Sequence, residues 1–346
     1  MGCGACCRAT PPQSHHRALG LGHKLGPRDQ HSIIVVSVYF GPLPPYFSMH
    51  LESLARNASV DWLLITDQEI GFAPANVRIV TIHWEGFREL VQARLGAGII
   101  LGRPYKICDL RPSFGELFAE YVEGYDFWGH CDLDVIFGDV RKFLTPDVLS
   151  MHDKVLIRGN FSLYRNSPAI NSLYRSRPDI ASFEVVMSDP AARRFDEWLG
   201  IHPIIRAENV SLWNDDVIFD LNADAFSTRA NSSPRRGRYA YIWMDGKVFE
   251  CDRRSLVPIR EGLLIHFQRR SLNVRPSPEG GDYVVGDAEI VDARTYLEEV
   301  GTPRARFRRL HGSARFRYRW FRTRARNARN RLVAALRAYK RDSKST

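Results

Sequence analysis

Apolar runs of strand length alternate with segments of helical spacing along the first half of the chain. The longest run, Ile33–Phe40, predicts a buried strand, and Trp62–Thr66 and Val77–Ile82 predict two further strands. Between the first two of these, apolar residues three and four positions apart predict a helix over Tyr46–Arg56. This order of strand, helix and strand is typical of α/β proteins.

The same alternation continues further along the chain. Helices are predicted over Phe87–Leu95 and Lys106–Val122, and strands over Lys154–Ile157 and Phe161–Tyr164. Between them, Tyr125–Phe137 contains a strand that ends in carboxylates. The pattern predicts an α/β fold with a Rossmann-type mixed, mainly parallel sheet flanked by helices, whose ligands bind at the carboxyl ends of the strands.

Three regions of the chain differ in composition. Residues 1–31 are rich in Gly, Pro and His without periodicity, and predict a disordered leader. Residues 32–300 contain no linker rich in Ser and Gly, and predict one large domain. Residues 301–346 are strongly basic, and the apolar spacing within 332–339 predicts a basic amphipathic helical tail.

The charge of the protein is divided between the body and the tail. The 346 residues carry 49 Lys and Arg against 39 Asp and Glu, a net charge of +10, yet 16 of the bases and only one acid lie in residues 301–346. The rest of the chain therefore holds 33 bases and 38 acids. We expect the tail to bind an anionic membrane surface through residues 304–344. RNA binding and a solvated tail without a partner are the alternatives.

Composition excludes several other classes of protein. A hydrophobic content of 44% is enough for a packed core. No apolar run approaches the length of a membrane span, and the first thirty residues lack the apolar segment of a secretory signal. We therefore expect a cytoplasmic protein, at most peripheral on the inner face of the plasma membrane. Three interpretations stay open for the segment that contains Cys3, Cys6 and Cys7. It could carry a lipid at Gly2, bind a metal through the cysteines, or be a solvated segment.

Two carboxylates follow the most aromatic of the predicted strands. Asp132 and Asp134 end the stretch Phe127–Asp134, and their spacing places both on one face of an extended chain. Acids that close repel each other, and a hard cation such as Mg²⁺ or Mn²⁺ between them relieves the repulsion. Such an ion, held by few protein ligands, keeps positions free for substrate phosphates. The plain alternative is a pair of acids that face water or cap a helix near Gly138.

The order of the motifs resembles bacterial glycosyltransferases of the GT-A type. More narrowly, it resembles an uncharacterised glycosyltransferase-like family associated with the synthesis of surface polysaccharides. The resemblance covers about residues 33–270, most of the predicted domain. The matching segments are Val38–Gly41, Pro44–Phe47, Ile65–Asp67, Tyr105–Gly115, Phe127–Phe143, Gly159–Asn166, Phe195–Trp198 and Ile265–Arg270.

The resemblance implies a GT-A-like fold, a nucleotide-sugar donor and a divalent metal held by the D-x-D acids. It implies that Asp134 is a direct metal ligand, that Asp132 contacts the metal or the ribose, and that His266 completes the metal site. The alternative for His266 is a satisfied imidazole at the end of an apolar strand. The metal would bridge the diphosphate of the donor.

The resemblance also implies a set of residues around the donor. Gly41 permits close backbone approach to the base, and Lys106 would face the phosphates. Arg269 and Arg270 would stabilise the leaving diphosphate. Ordinary core packing and a surface ion pair are the alternatives for the first strand and for Lys106 with Asp109. The implied donor-binding residues are Tyr39, Phe40, Gly41, Asp67, Lys106, Asp109, Asp132, Arg269 and Arg270.

An acidic pair downstream is the implied source of the catalytic base. Asp196 and Glu197 would take the proton from the acceptor hydroxyl, with a pKa raised by the apolar walls around them. A pair of acids on a helix surface is the alternative. The pair Asp215 and Asp216 has the same chemistry and is the rival assignment.

These observations predict a metal-dependent glycosyltransferase that uses a nucleotide-diphosphate sugar and a saccharide or lipid-linked acceptor, in polysaccharide or glycolipid synthesis. A phosphohydrolase of the haloacid-dehalogenase type also uses a strand-end D-x-D, but there the motif usually closes the first strand of the domain. A non-catalytic adaptor that binds nucleic acid or membrane through the tail is the third possibility.

Overall fold

A seven-stranded sheet forms the centre of the protein. The computed structural model describes residues 30–222, 228–234, 238–268, 270, 272–275, 281–287, 289–303, 318 and 322. Almost all of the predicted leader and tail, with Cys3, Cys6 and Cys7, lies outside these residues. The strands of the central sheet are β1 (Ile33–Tyr39), β2 (Asp61–Thr66), β3 (Val77–Thr81), β4 (Phe127–Cys131), β6 (Lys154–Val155), β7 (Phe161–Arg165) and β8 (Leu212–Trp213).

Two smaller sheets and ten helices complete the described part of the chain. The other strands are β5 (Val135–Phe137), β9 (Ile218–Asp220), β10 (Tyr239–Met244), β11 (Lys247–Asp252), β12 (Pro258–Gly262), β13 (Leu264–His266), β14 (Asn273–Val274), β15 (Tyr283–Val285) and β16 (Glu289–Asp292). The helices are α1 (Phe47–Ala55), α2 (Trp84–Leu95), α3 (Phe114–Leu117), α4 (Ala119–Val122), α5 (Val140–Phe143), α6 (Pro146–Met151), α7 (Pro168–Asn171), α8 (Phe183–Met187), α9 (Ile201–Ala207) and α10 (Ala293–Glu299).

The central sheet is mainly parallel, as predicted. Its strands lie in the order β3-β2-β1-β4-β7-β6-β8. The first four are parallel to one another, and only β7 runs against the others. With helices packed on both faces, the sheet confirms the mixed α/β fold expected from the sequence.

Alternation along β1 shows how the sheet separates two layers of core. Ile34 and Val36 pack with α2 and the helices that follow it, whereas Ile33 and Val35 pack with α1 on the opposite face. Successive side chains of a strand point to opposite faces, so a run that is apolar throughout requires cover on both. The strand buried on both faces that Ile33–Phe40 predicts is therefore confirmed.

The chain leaves the central sheet at the D-x-D motif. Strand β4 belongs to the central sheet, and β5 belongs to a three-stranded sheet in the order β5-β13-β9. His266 on β13 lies opposite Val135 on β5 and beside Asp220 on β9. The register of this small sheet therefore brings three distant parts of the sequence to the point where the chain crosses between the sheets.

The predicted helix over Lys106–Val122 is wrong in its form. The chain instead forms a 3₁₀ helix over Pro104–Ser113, followed by the short helices α3 and α4. Pro112 lies inside the segment and lacks an N–H, so a continuous α-helix cannot pass through it without a break.

A six-stranded sheet in the order β12-β11-β10-β15-β16-β14 was not predicted. The hairpin of β10 and β11 turns at Asp245 and Gly246, whose φ angles are 47° and 75°. Two positive φ values in succession are the mark of a type I′ turn, for which Asp-Gly is a preferred sequence. The signal for this hairpin was therefore present in the chain. No helix among the described residues is both long and apolar enough to cross a membrane.

Candidate metal and active site

Asp132, Asp134 and His266 form one cluster at the carboxyl end of β4. The ligand atoms of the three side chains all lie within 4.8 Å of one another. His266 Nε2 is 3.4 Å from Asp134 Oδ1 and 3.9 Å from Asp132 Oδ2. The structure thus brings together the three residues named as metal ligands.

Backbone hydrogen bonds hold the two acids in place. Asp132 N donates to Asn160 O at 3.0 Å, and Phe267 N donates to Asp134 O at 2.8 Å. One acid is therefore tied to the chain just before β7 and the other to the chain just after β13. Positions fixed through the main chain keep the acids together whatever their side chains bind.

Contacts of Nδ1, on the side of the ring away from the two acids, orient the ring of His266. Its Nδ1 lies 2.7 Å from Asp220 Oδ1, which also accepts a hydrogen bond from Gln268 Nε2 at 2.5 Å. Asn160 Nδ2 lies 2.7 Å from the same ring nitrogen, and Asn160 Oδ1 has no partner among the described residues. A flipped amide would let its oxygen accept from Nδ1–H beside Asp220. With Nδ1–H donating to this side, Nε2 faces the two acids.

The charges of the cluster depend on one another. Burial alone lowers the pKa of His266, but hydrogen bonds to Asp134 and Asp220 and the charge of Asp132 raise it to about 10. Burial raises the pKa of Asp132, against the effect of Arg111, and the neighbouring Asp134 raises it further. Protonated His266 therefore supplies positive charge to acids that would otherwise repel each other.

The donor set suits a divalent metal ion. Two carboxylates and one imidazole converge, and the imidazole has the carboxylate of Asp220 behind it, as metal-binding histidines usually do. Mn²⁺ accepts both kinds of ligand, and carboxylates also suit Mg²⁺. The residues present thus fit the ion that the resemblance implies.

Arg111 connects this cluster to the downstream acids. Its Nη2 contacts Asp132, and its Nη1 donates to Asp196 Oδ2 and to Gly159 O, each at 2.7 Å. Burial lowers the pKa of the guanidinium, but Asp132 and Asp196 outweigh that effect, and the group stays charged. A planar guanidinium can hold two carboxylates at a fixed separation. Arg111 was within a recognised segment, but no role for it followed from the sequence.

Asp196 and Glu197 lie next to the metal cluster but differ in their surroundings. Asp196 is 4% exposed, and burial raises its pKa to about 7 although Arg111 opposes the shift. The Glu197 carboxylate is partly exposed and has no hydrogen-bond or ion-pair partner among the described residues. A methyl group at Gly159 would lie 2.7 Å from Glu197 Oε1, so only glycine lets the acids approach here.

Lys106 and Asp109 do not reach a ligand in this structure. Both side chains are fully buried, with Lys106 Nζ 2.8 Å from Asp109 Oδ2. The ammonium also donates to Val186 O and Ala191 O, each at 2.8 Å, and the carboxylate accepts from Phe195 N at 2.7 Å. The pair therefore anchors the segment that carries Asp196. Neither charge is exposed in this structure, and the contacts of Lys106 with phosphate and of Asp109 with the donor stay predictions.

The first strand supplies only part of the expected base pocket. Phe40 is buried between Trp84 and Phe87, with ring centroids 5.1 Å away in each case, and is a core residue. Gly41 has a φ of 111°, and its N–H donates to Asp67 Oδ1 at 3.0 Å. This left-handed backbone explains why glycine follows the strand.

Tyr39 and Asp67 lie on the metal-cluster side of this turn. Tyr39 is partly exposed, and burial followed by the charges of Asp134 and Asp67 raises its pKa. Its hydroxyl donates to Pro42 O at 2.8 Å. Tyr39 therefore lies near Asp134 and Asp67, and its contact with the donor stays a prediction.

Of the two arginines expected to stabilise the diphosphate, the structure describes Arg270. Arg269 lies outside the described residues. Arg270 is 9% exposed, donates to Asn222 O at 2.7 Å, and has its pKa lowered by burial. Its guanidinium is thus engaged by backbone carbonyls of the described chain, and its contact with a diphosphate stays a prediction.

The rival acidic pair is engaged elsewhere. Asp216 Oδ2 lies 3.0 Å from Arg260 Nη1, in a network with buried Glu250 of the six-stranded sheet. Asp215 is exposed beside it. The geometry therefore favours Asp196 and Glu197 as the acids that accompany the metal cluster.

Sequence reasoning missed three positioning residues, Arg111, Asn160 and Asp220. Two of them lie in the recognised segments Tyr105–Gly115 and Gly159–Asn166, which contain several other polar residues, so the resemblance marked the segments but not these side chains. Asp220 ends a short apolar strand, as Asp132 follows one, which is the only local hint of its place. The positions of these three residues in the sequence do not indicate which side chains they contact.

The family match covers most of this region. A family model described as a family of unknown function, DUF6625, matches residues 35–293. The chain belongs to this family. All of the described site residues, from Tyr39 to Arg270, lie inside the part that defines DUF6625. No curated protein sequence matches the chain significantly.

Two solved structures resemble this DUF6625 protein weakly. The galactosyltransferase LgtC, in complex with donor and acceptor sugar analogs, is 11% identical over 69% of this chain and 88% of its own, with a TM-score of 0.35. The apo-form glycosyltransferase GlyE of Streptococcus pneumoniae TIGR4 is 12% identical over 55% of this chain and 47% of its own, with a TM-score of 0.31. At these scores neither neighbour carries an argument about activity.

The raised pKa of His266 predicts a pH dependence of stability. A histidine whose folded pKa lies near 10 contributes stability that is complete below its unfolded pKa of about 6.5 and is lost as pH rises through 10. In EDTA, the difference in unfolding free energy between the wild type and His266→Gln should fall between pH 6.5 and 10, by at most about 1.4 kcal/mol per pH unit. Urea unfolding at several pH values measures it. A difference that is constant over this range would contradict the assignment.

Proposed function

We propose that this protein is a metal-dependent glycosyltransferase, which moves a sugar from a nucleotide-diphosphate sugar to an acceptor hydroxyl. The observation that carries the proposal is the convergence of Asp132, Asp134 and His266 at a strand end, with the carboxylates of Asp196 and Glu197 beside them. The ordered motifs that resemble GT-A enzymes support the same conclusion. The product would enter polysaccharide or glycolipid synthesis.

The metal would be Mn²⁺ or Mg²⁺, held by Asp132, Asp134 and His266. When bound, a divalent ion neutralises the charge that builds on a departing diphosphate. Asp220 fixes the tautomer and direction of the His266 ring, so that Nε2 faces the acids. Asp132 also keeps its contact with Arg111, which places one cation of the protein itself beside the diphosphate.

Glu197 is our choice for the general base of an inverting transfer. Its carboxylate is partly exposed and uncommitted among the described residues, so it can accept the proton of an acceptor hydroxyl. Asp196 is buried and held by Arg111, and it acts as a positioning residue that keeps this segment beside the metal cluster. Tyr39, Gly41 and Asp67 would form the donor side.

A hydrolase of the haloacid-dehalogenase type is supported less well. Three strands, β1 to β3, precede the D-x-D motif, and Asp216 pairs with Arg260 instead of accompanying it. An adaptor without activity leaves the ordered carboxylate cluster unexplained. Phosphatase activity on a generic phosphoester, lost in Asp132→Asn, would revive the first alternative.

Removal of Asp134 should abolish metal-dependent nucleotide binding. Asp134→Ala takes away a ligand and leaves Asp132 and His266 too few to hold the ion. In thermal-shift measurements with nucleoside diphosphates, Mn²⁺ should enhance the stabilisation of the wild type, and the enhancement should vanish in the variant. Asp216→Asn, a change of one exposed acid outside the cluster, is the matched control and should behave as wild type. Full Mn²⁺-dependent binding in Asp134→Ala would refute the metal site.

Glu197→Gln should separate catalysis from binding. Loss of a general base should lower sugar transfer by about 10²–10⁴-fold. Nucleotide affinity with Mn²⁺ should stay within about threefold, because Glu197 is outside the ligand set. Transfer assays with a radiolabelled donor and titration calorimetry give the two quantities. If Glu197→Gln transfers sugar at the rate of wild type, the enzyme does not use this base, as expected of a retaining mechanism.

We propose in addition that residues 304–344 hold the enzyme at an anionic membrane from the cytoplasmic side. The support is the charge of the segment, with 16 bases and one acid in residues 301–346. The full-length protein should sediment with vesicles that contain phosphatidylglycerol and should be released by salt, since each basic residue near the surface contributes about 1 kcal/mol. Equal sedimentation with neutral phosphatidylcholine vesicles would contradict an electrostatic anchor.

A further inference from the structure

The segment that follows Glu197 exposes an apolar surface beside the site. Trp198 is 60% exposed and Leu199 is 74% exposed. The indole is nevertheless held in place, because it packs edge-on against the ring of His202 with 5.1 Å between the centroids. A fixed, exposed aromatic side chain next to a reactive carboxylate has the properties of a ligand-binding surface.

A tight turn fixes the position of this surface relative to the acids. Ile201 N donates to Phe195 O at 2.7 Å and closes the turn. Gly200 packs so closely on the backbone of Phe195 that no Cβ fits there. The turn buries Asp196 and exposes Trp198, so the separation between the acid and the indole is set by the backbone.

Two arginines lie close in the chain to residues that surround the indole. Arg206 comes four residues after His202 on α9, which places both on one face of the helix, and Arg158 precedes Gly159, where an added Cβ would lie 2.7 Å from Glu197 Oε1. Both guanidinium groups act electrostatically on His202, the residue that supports the indole. Neither arginine has an acidic partner among the described residues. The surface therefore combines one aromatic face with two uncompensated positive charges.

Resting on the proposed function, we propose that this surface binds an acidic saccharide as the acceptor. We define the Trp198 surface as Trp198, Leu199, Arg158 and Arg206. An indole face matches the apolar face of a pyranose ring, and a guanidinium pairs with a carboxylate through two hydrogen bonds. The acceptor hydroxyl would then lie next to the general base.

The test uses the full-length protein, titration calorimetry and two disaccharides that differ in one carboxylate, cellobiuronic acid and cellobiose. Cellobiuronic acid should bind at least about tenfold more tightly than cellobiose. Trp198→Ala should weaken its binding about tenfold or more, whereas Trp198→Phe should retain most of it. Arg206→Gln should bring the affinity down to that of cellobiose. Met151→Ala and Arg294→Gln, which change exposed side chains on α6 and α10, are the matched controls and should bind as wild type.

Failure of this inference can be told from failure of the proposed function. Asp134→Ala should leave the affinity for cellobiuronic acid unchanged, because the metal cluster is not part of the Trp198 surface. Equal affinity for the two disaccharides, no binding of either, or unchanged binding in Trp198→Ala would overturn the proposal. So would binding to phosphatidylglycerol vesicles that depends on Trp198, since it would assign the surface to lipid.

Discussion

The repulsion between Asp132 and Asp134 is the constraint around which the site is arranged. The two acids lie where the chain leaves the central sheet for the three-stranded sheet, and their main-chain hydrogen bonds prevent them from moving apart. Cations must therefore come to them. Arg111 contacts Asp132 from one side, and His266 approaches both acids from the other. Because the two acids depend on positive charge from other residues, the site is suited to exchange one cation for another.

Arg111 connects the metal cluster to the segment that carries Asp196 and Glu197. The same guanidinium that contacts Asp132 also binds Asp196, so the proposed metal site and the proposed base segment share one positioning residue. The segment is held a second time by the buried pair of Lys106 and Asp109. Buried ion pairs contribute little net stability, but loss of one partner is costly, about 3–5 kcal/mol. We infer that the buried pair of Lys106 and Asp109 serves to hold the segment that carries Glu197.

The sequence was sufficient for features that depend on local pattern. The run Ile33–Phe40 predicts a strand covered on both faces, and the D-x-D spacing predicts the acid pair. What could not be predicted is pairing at a distance, because the partners of Asp132 are set by the register of β5, β13 and β9, which no local periodicity encodes. Lys106 and Asp109 show the same limitation. Their spacing predicts that the two side chains are neighbours, but it does not reveal whether the pair is buried or exposed to water. The hairpin at Asp245 was predictable, because Asp-Gly between two strand-length segments rich in apolar residues favours a type I′ turn.

The charge balance of the site constrains how a nucleotide sugar could bind. Asp132, Asp134 and Asp220 contact His266, and Arg111 bridges Asp132 and Asp196. Among these described residues the four carboxylates exceed the two cations, so together they would repel a diphosphate that approaches the metal-free protein. Protonation of His266 adds one positive charge to the cluster. In that form, however, Nε2 carries a proton and cannot bind a metal ion. The donor should therefore bind together with a divalent ion or after it, and the affinity for both should rise as His266 loses its proton.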